Sequence, residues 1–317
     1  MRHTRSVFVR GADIKRKQII HRILLAAIIL SLISLLPVVY LKFRGQSGNE
    51  RRELRESFES GAFEISYDQS EKMLKEKPLD FFLLTINGFS AYQLAIAQIN
   101  NFDMLSYIDN CIWSLRKALL LGENSSDARI FYVLGKAYYY KGSGFADLAV
   151  KYLEKARNLS YRAGDIPEYL GLSYAATRDF RNSVAAFTLA LTGEGGLGGN
   201  EPSDVLLLSI ARSYLALEEY DSARAYLIRC METSRDSKTI AAARLLHGVI
   251  LLNAGDYGRA EVEFLKVLEE NGENAEAHFQ LGELYALGGD ATRARSEWRR
   301  AYRIDPTHEP ARNRLNM

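Results

Sequence analysis

Apolar and small residues recur along this chain in pairs of helical stretches separated by short polar turns. Near the C-terminus the pattern reads Leu281-Gly282, Tyr285, Ala294, Trp298, Ala301 and Pro306. Spacings of three and four residues put Leu281, Gly282 and Tyr285 on one face of a first helix. They put Ala294, Trp298 and Ala301 on one face of a second. The same slots repeat upstream: Gly248, Ala260 and Phe264 each lie 34 residues before their counterparts. Earlier sets are Ala211, Tyr214, Ala223 and Leu227; then Leu170-Gly171, Tyr174, Ser183, Phe187 and Ala190. The first clear set is Leu134-Gly135, Tyr138, Ala149, Leu153 and Ala156, with two extra residues in the turn at 141–145. Two sets before it are degenerate. Around Gly88 and Ala118 the helices are predicted to be longer than usual. Gly61, Phe63, Met73 and Pro78 read as the second half of a unit whose first helix, 50–60, is highly charged. Gly and Ala slots let the two helices of a unit approach, and the aromatic slots fill the space between units.

This order, L-G-x2-Y … A-x3-F … P, resembles the tetratricopeptide repeat, a helix–turn–helix unit that stacks because no unit buries its own apolar face. The resemblance covers roughly residues 47–308. It implies an all-α, right-handed superhelical solenoid of about seven helical pairs. The chain divides into a basic segment 1–22, an apolar span 23–41, degenerate repeats 42–124, five clear units 125–308 and a polar capping tail 309–317.

From Ile23 to Leu41 there is no charged residue. As a helix rising 1.5 Å per residue this run spans roughly 28 Å, close to the ~30 Å hydrocarbon core of a bilayer. Arg22 stands at one end and Lys42 and Arg44 at the other, with Tyr40 near the interface. No small-residue cleavage site follows, so the expectation is an uncleaved anchor rather than a signal peptide. Within twenty-one residues of the span the N-terminal flank carries seven Lys/Arg and the C-terminal flank five. That bias predicts the N-terminus in the cytoplasm and the repeats outside, periplasmic in a bacterium.

Composition narrows the function classes. The chain is 47% hydrophobic and 25% charged, as a folded protein should be. Residues 1–22 carry seven Lys/Arg against one acid, Asp13; this net +6 leaves −4 on the remainder of a chain whose total is +2. An acidic body argues against nucleic-acid binding. Cys111 and Cys230 form no C-x-x-C and fall in small-residue slots, so buried thiols are expected. Gly193, Gly195 and Gly198 satisfy G-x-G-x-x-G, but in the 192–203 turn after a helix, where a nucleotide loop is not expected. His278 and His247 occupy packing slots. The acids fall on exposed helix faces, none singled out as part of a catalytic pair. No catalytic residue, metal site or cofactor is expected, and the chain reads as a non-enzyme.

In tetratricopeptide proteins the first helix of each unit lines a concave groove that holds peptides or helices. The resemblance maps that groove onto Tyr132, Lys136, Tyr139 and Tyr140; Leu172 and Ala176; Leu208, Arg212 and Leu215; Leu245, Val249 and Leu252; and Phe279 and Glu283. It lacks the Asn positions of the carboxylate clamp found in chaperone-binding members. Its apolar character implies a protein partner offering a helix or an extended apolar segment. Arg293, Arg295, Arg299, Arg300 and Arg303 alternate with packing slots and should point outward, as a solvated face or a docking face for an acidic partner or a lipid headgroup. Membrane-anchored relatives assemble envelope machines, so the functional expectation is a scaffold for a cell-envelope complex. The alternative is a chaperone-like module beside a translocon. The residues do not decide whether the array self-associates.

Overall fold

The computed structural model of the chain describes residues 48–122, 127–192 and 203–316. The expected anchor, 23–41, and the core of the Gly-rich turn lie outside them. Among the described residues no helix is long and apolar enough to cross a membrane.

The described residues form no strands, one 3-10 helix (Ser143–Phe145) and fifteen α-helices. They are α1 (48–59), α2 (Phe63–Glu76), α3 (Phe81–Ile96), α4 (Asn101–Leu121), α5 (Ala128–Lys141), α6 (Ala146–Asn158), α7 (Ile166–Ala176) and α8 (Phe180–Thr192), continuing with α9 (Asp204–Ala216), α10 (Tyr220–Thr233), α11 (Ser237–Asn253), α12 (Tyr257–Glu270), α13 (Ala275–Leu287), α14 (Ala291–Ile304) and α15 (Glu309–Leu315). From α3 on, consecutive helices pack as antiparallel pairs, and each pair packs on the next. The degenerate first unit joins the stack through both its helices, α2 by the Ser66–Ser90 hydrogen bond to α3 and α1 by apolar contact. Leu54 meets Leu83 and Ile86 of α3, and Arg51 pairs with the α3 cap Asp80. The long helices expected around Gly88 are α3 and α4, of 16 and 21 residues.

Glycine slots set the closeness of each pair. A Cβ on Gly135 would lie 2.6 Å from Leu153, one on Gly171 2.4 Å from the Phe187 ring, and one on Gly248 2.4 Å from the Phe264 ring. Gly88 faces Leu115 in the same way. The aromatic slots thus act first within a unit, over its own glycine, rather than only between units as the pattern implied. Phe187 and Phe264 then reach Leu206 and Leu281 of the following units.

Six turns between first and second helices carry one residue of positive φ: Gly61, Gly142, Arg178, Glu218, Gly255 and Gly289, with φ of 80°, 115°, 62°, 61°, 79° and 82°. Asp side chains cap the second helices of the last two units. Asp256 accepts from the Arg259 amide and Asp290 from the Arg293 amide, which satisfies orphan donors of the first turn.

First helices of successive units touch: α3 meets α5, α5 meets α7, α7 meets α9, α9 meets α11 and α11 meets α13. Second helices make no comparable contacts with one another among the described residues. The stack therefore curves toward its first helices, which line the concave side.

Candidate functional site

The concave face is centred on tyrosines of α5 and α7. Lys136 is drawn down among them. Its Nζ donates to Asp165 Oδ2 at 2.7 Å and to Tyr132 Oη at 3.1 Å. It lies 4.4 Å from the Tyr169 ring centroid, 5.2 Å from Tyr132 and 5.8 Å from Tyr92. Tyr132 Oη also donates to the Asp165 carboxylate. Tyr140 and Tyr169 share a hydroxyl–hydroxyl hydrogen bond of 2.8 Å. Tyr139 meets Tyr169 edge-on at 5.0 Å and Tyr140 at 5.4 Å. Burial, then the Asp165 charge, raises the Tyr132 hydroxyl well above the ordinary phenol range. Burial, then the hydrogen bond with Tyr140, does the same for Tyr169. These phenols stay neutral, and their rings offer electron-rich faces to cations.

The other predicted groove residues are distributed less simply. Leu172 packs against the Phe187 cluster, Leu215 against Leu207 and Ala211, and Leu245 and Val249 against Phe264. These four are half-buried. Ala176 and Arg212 are exposed, and Arg212 has no ion pair or hydrogen bond among the described residues. Leu208 and Leu252 do not line the groove: both are buried, at 8% and 6% exposure. The reason is curvature, because α11 closes over α9 and α13 over α11, and each covers the leucine that faces it. Phe279 lies 5.0 Å from the His308 ring, and Glu283 binds Arg314 through both carboxylate oxygens, so α15 occupies the groove's C-terminal end.

The aromatic and apolar exposure expected of the groove is partly elsewhere. Ile99, Phe102, Trp113 and Leu120 are strongly exposed on the outer side of the α3–α4 turn and α4. Helical patterning did not single them out.

The five arginines of α14 are all exposed, as expected. Arg293 binds Asp290 and covers the Tyr285 ring at 4.4 Å, and Arg300 binds Glu297. Arg295, Arg299 and Arg303 have no partner among the described residues. Glu297 departs from the expectation that acids are exposed. It is buried beside His278, its Oε2 2.6 Å from Nδ1, while His278 Nε2 faces the Gly272 carbonyl at 3.2 Å. Both cysteines are buried and free. Among the described residues no cluster has the donors to hold a metal ion.

Residues 206–237 and 245–309 match family profiles for the tetratricopeptide repeat. No match was found among curated proteins. Solved structures with the same fold include PilW, described as a widely conserved type IV pilus biogenesis factor. Its TM-score is 0.56 at 18% identity, over 72% of this chain and 98% of that one. The C-terminal part of a repeat-containing protein from Cytophaga hutchinsonii has a TM-score of 0.55 at 16% identity, over 84% and 100%. PilF of Pseudomonas aeruginosa has 0.53 at 15%, over 72% and 96%. At these identities the likeness establishes the fold alone. The helical pairs, the glycine slots and the profile matches agree that this chain carries tetratricopeptide repeats stacked into an all-helical solenoid.

Proposed function

We propose that this protein is a membrane-anchored scaffold that holds a protein partner in its concave groove and fixes it within a cell-envelope complex. The observation that carries this reading is the groove floor. Leu172, Leu215, Leu245 and Val249 run along it half-buried, beside the unpaired Arg212 and the tyrosines of α5 and α7. A concave apolar strip with a few fixed polar groups suits a peptide or helix of defined sequence. Residues 23–41 are the anchor, residues 1–22 lie in the cytoplasm, and the repeats are periplasmic. The uncharged run and the flanking Lys/Arg bias support this arrangement.

The chaperone alternative requires a broadly sticky groove. Buried Leu208 and Leu252, the Lys136–Asp165 pair and the tyrosine hydrogen bonds weigh toward selective binding instead. The test is purification of the full chain from its own cells in mild detergent. A scaffold brings down one or two partners at fixed stoichiometry, and Leu172→Asp with Arg212→Glu releases them. A ladder of many substoichiometric proteins contradicts the scaffold. Alkaline extraction tests the anchor: the full chain stays with the membrane, whereas a chain starting at residue 42 is washed off.

A further inference from the structure

The first four helices are locked at fixed levels beside one another. Ser66 Oγ of α2 meets Ser90 Oγ of α3 at 2.7 Å, and the Asn87 amide of α3 donates to Ser70 Oγ at 3.1 Å. Ser114 Oγ of α4 donates to Asn87 Oδ1 at 2.7 Å. Arg51 of α1 pairs with Asp80 at the start of α3, and Phe58 stacks on Phe89 farther along. So α1 and α3 run one way, and α2 and α4 run the other. This register gathers the start of α1, the end of α2, the start of α3 and the end of α4 at one end of the stack. Four apolar side chains stand exposed there. Leu79, in the α2–α3 turn, is 62% exposed and Leu120 of α4 is 81% exposed, with Phe81 and Leu121 also open. None of them packs into the cores of these units.

We propose that this end of the solenoid rests on a lipid bilayer, with Leu79, Phe81, Leu120 and Leu121 dipping into the interface. This rests on residues 23–41 being the anchor, and adds how the repeats are held against the membrane. The length of chain between the two argues for it. Residues 42–47 separate the apolar span from α1. Six residues reach at most about 20–22 Å, so the start of α1 stays within that distance of the bilayer. The end of the stack at which α1 starts is the end that exposes the four side chains. The opposite end exposes Ile99 and Phe102. It lies farther off by the length of α3, which has 16 residues. At 1.5 Å per residue that is about 24 Å, more than the six residues can span. An apolar patch of this size is too small to hold a free protein on a membrane firmly. Tethering changes that, because the anchor makes the second contact intramolecular and raises its effective concentration. Interfacial binding then follows from the apolar area buried at the headgroup boundary.

The experiment places an environment-sensitive fluorescent amino acid singly at Leu121, at Ile99 or at Val262 of the full chain. Val262 is exposed on α12, far along the array. Each protein is reconstituted into phosphatidylcholine vesicles whose lipids carry a nitroxide high or low on the acyl chain. Emission from Leu121 should shift to the blue and be quenched, more by the high nitroxide, because interfacial groups sit roughly 5–10 Å deep. Ile99 and Val262 should stay unquenched. Leu79→Glu with Leu120→Glu should abolish quenching at Leu121 without changing helix content or flotation with the vesicles. If the glutamates lower helix content, Leu79→Ser with Leu120→Ser takes their place. Vesicles that float the chain yet leave Leu121 unquenched overturn the docked end and leave the anchor intact. Quenching at Ile99 in place of Leu121, or quenching at Leu121 that survives both substitutions, overturns it too. A chain that does not float overturns both the docked end and the anchor.

Discussion

A Cβ built on Gly282 would lie 2.4 Å from both Cδ1 and Nε1 of Trp298, closer than any side-chain contact tolerates. The last full unit therefore holds α13 and α14 together by seating an indole where the facing helix has no side chain. Gly282→Ala should lower stability by about 1–3 kcal/mol despite alanine's better helix propensity, and Gly282→Leu by more. Trp298→Leu should soften the penalty, so the two substitutions should couple by about 1 kcal/mol in a double-mutant cycle. Additive effects in urea unfolding would refute the seat.

The left-handed turns give a test free of packing. Nothing lies within 4 Å of a Cβ on Gly289, whose φ is 82°, so Gly289→Ala meets backbone strain alone. It should cost about 1 kcal/mol. Glu218, at φ 61°, carries that strain already, so Glu218→Gly should be stabilising by about 0.5 kcal/mol. Equal destabilisation by both changes would show that these turns do not need their conformation.

Cap aspartates predict a direction for acid sensitivity. Asp256 is held below the usual carboxylate range first by the Arg259 side chain, and Asp290 first by the Arg293 amide. Asp236 is lowered by the Thr239 hydroxyl and amide. A depressed folded-state value means that the ionised caps stabilise fully above the unfolded carboxyl value, near pH 4. That contribution is lost as pH falls through the lower folded value. Asparagine still caps but does not titrate. The chain with all three changed to Asn should therefore show a shallower fall in urea midpoint between pH 5 and 2.5, all else equal. Identical profiles would contradict the assignment.

Glu297 and His278 make a prediction that the sequence did not offer. With Glu297 buried and bonded to both His278 and Arg300, Glu297→Ala strands the His278 ring nitrogen. It should cost about 3 kcal/mol, the scale of breaking a buried pair. Surface Glu273→Ala should stay within about 0.5 kcal/mol. Similar thermal midpoints for the two variants would place Glu297 outside the core.

What was legible in the sequence was whatever repeats at short range. Gly282 with Trp298, and Gly248 with Phe264, are separated by one turn and one helix, so spacing alone fixes their encounter. The lining of the groove depends on curvature, which no single unit encodes. Leu208 and Leu252 occupy groove slots by pattern, yet the next unit's first helix covers them. Lys136 occupies a groove slot and is captured by Asp165, a turn residue for which the repeat has no slot.

In the proposed function the concave face, and not the outer face of α4 or the arginines of α14, holds the partner. The most direct measurement is photo-crosslinking in living cells from a benzophenone amino acid placed singly at Tyr139, at Arg212, at Trp113 or at Arg299. One discrete adduct is expected from Tyr139 and Arg212 and none from the two outer positions. An adduct from Trp113 or Arg299 with silence from Tyr139 and Arg212 would contradict it.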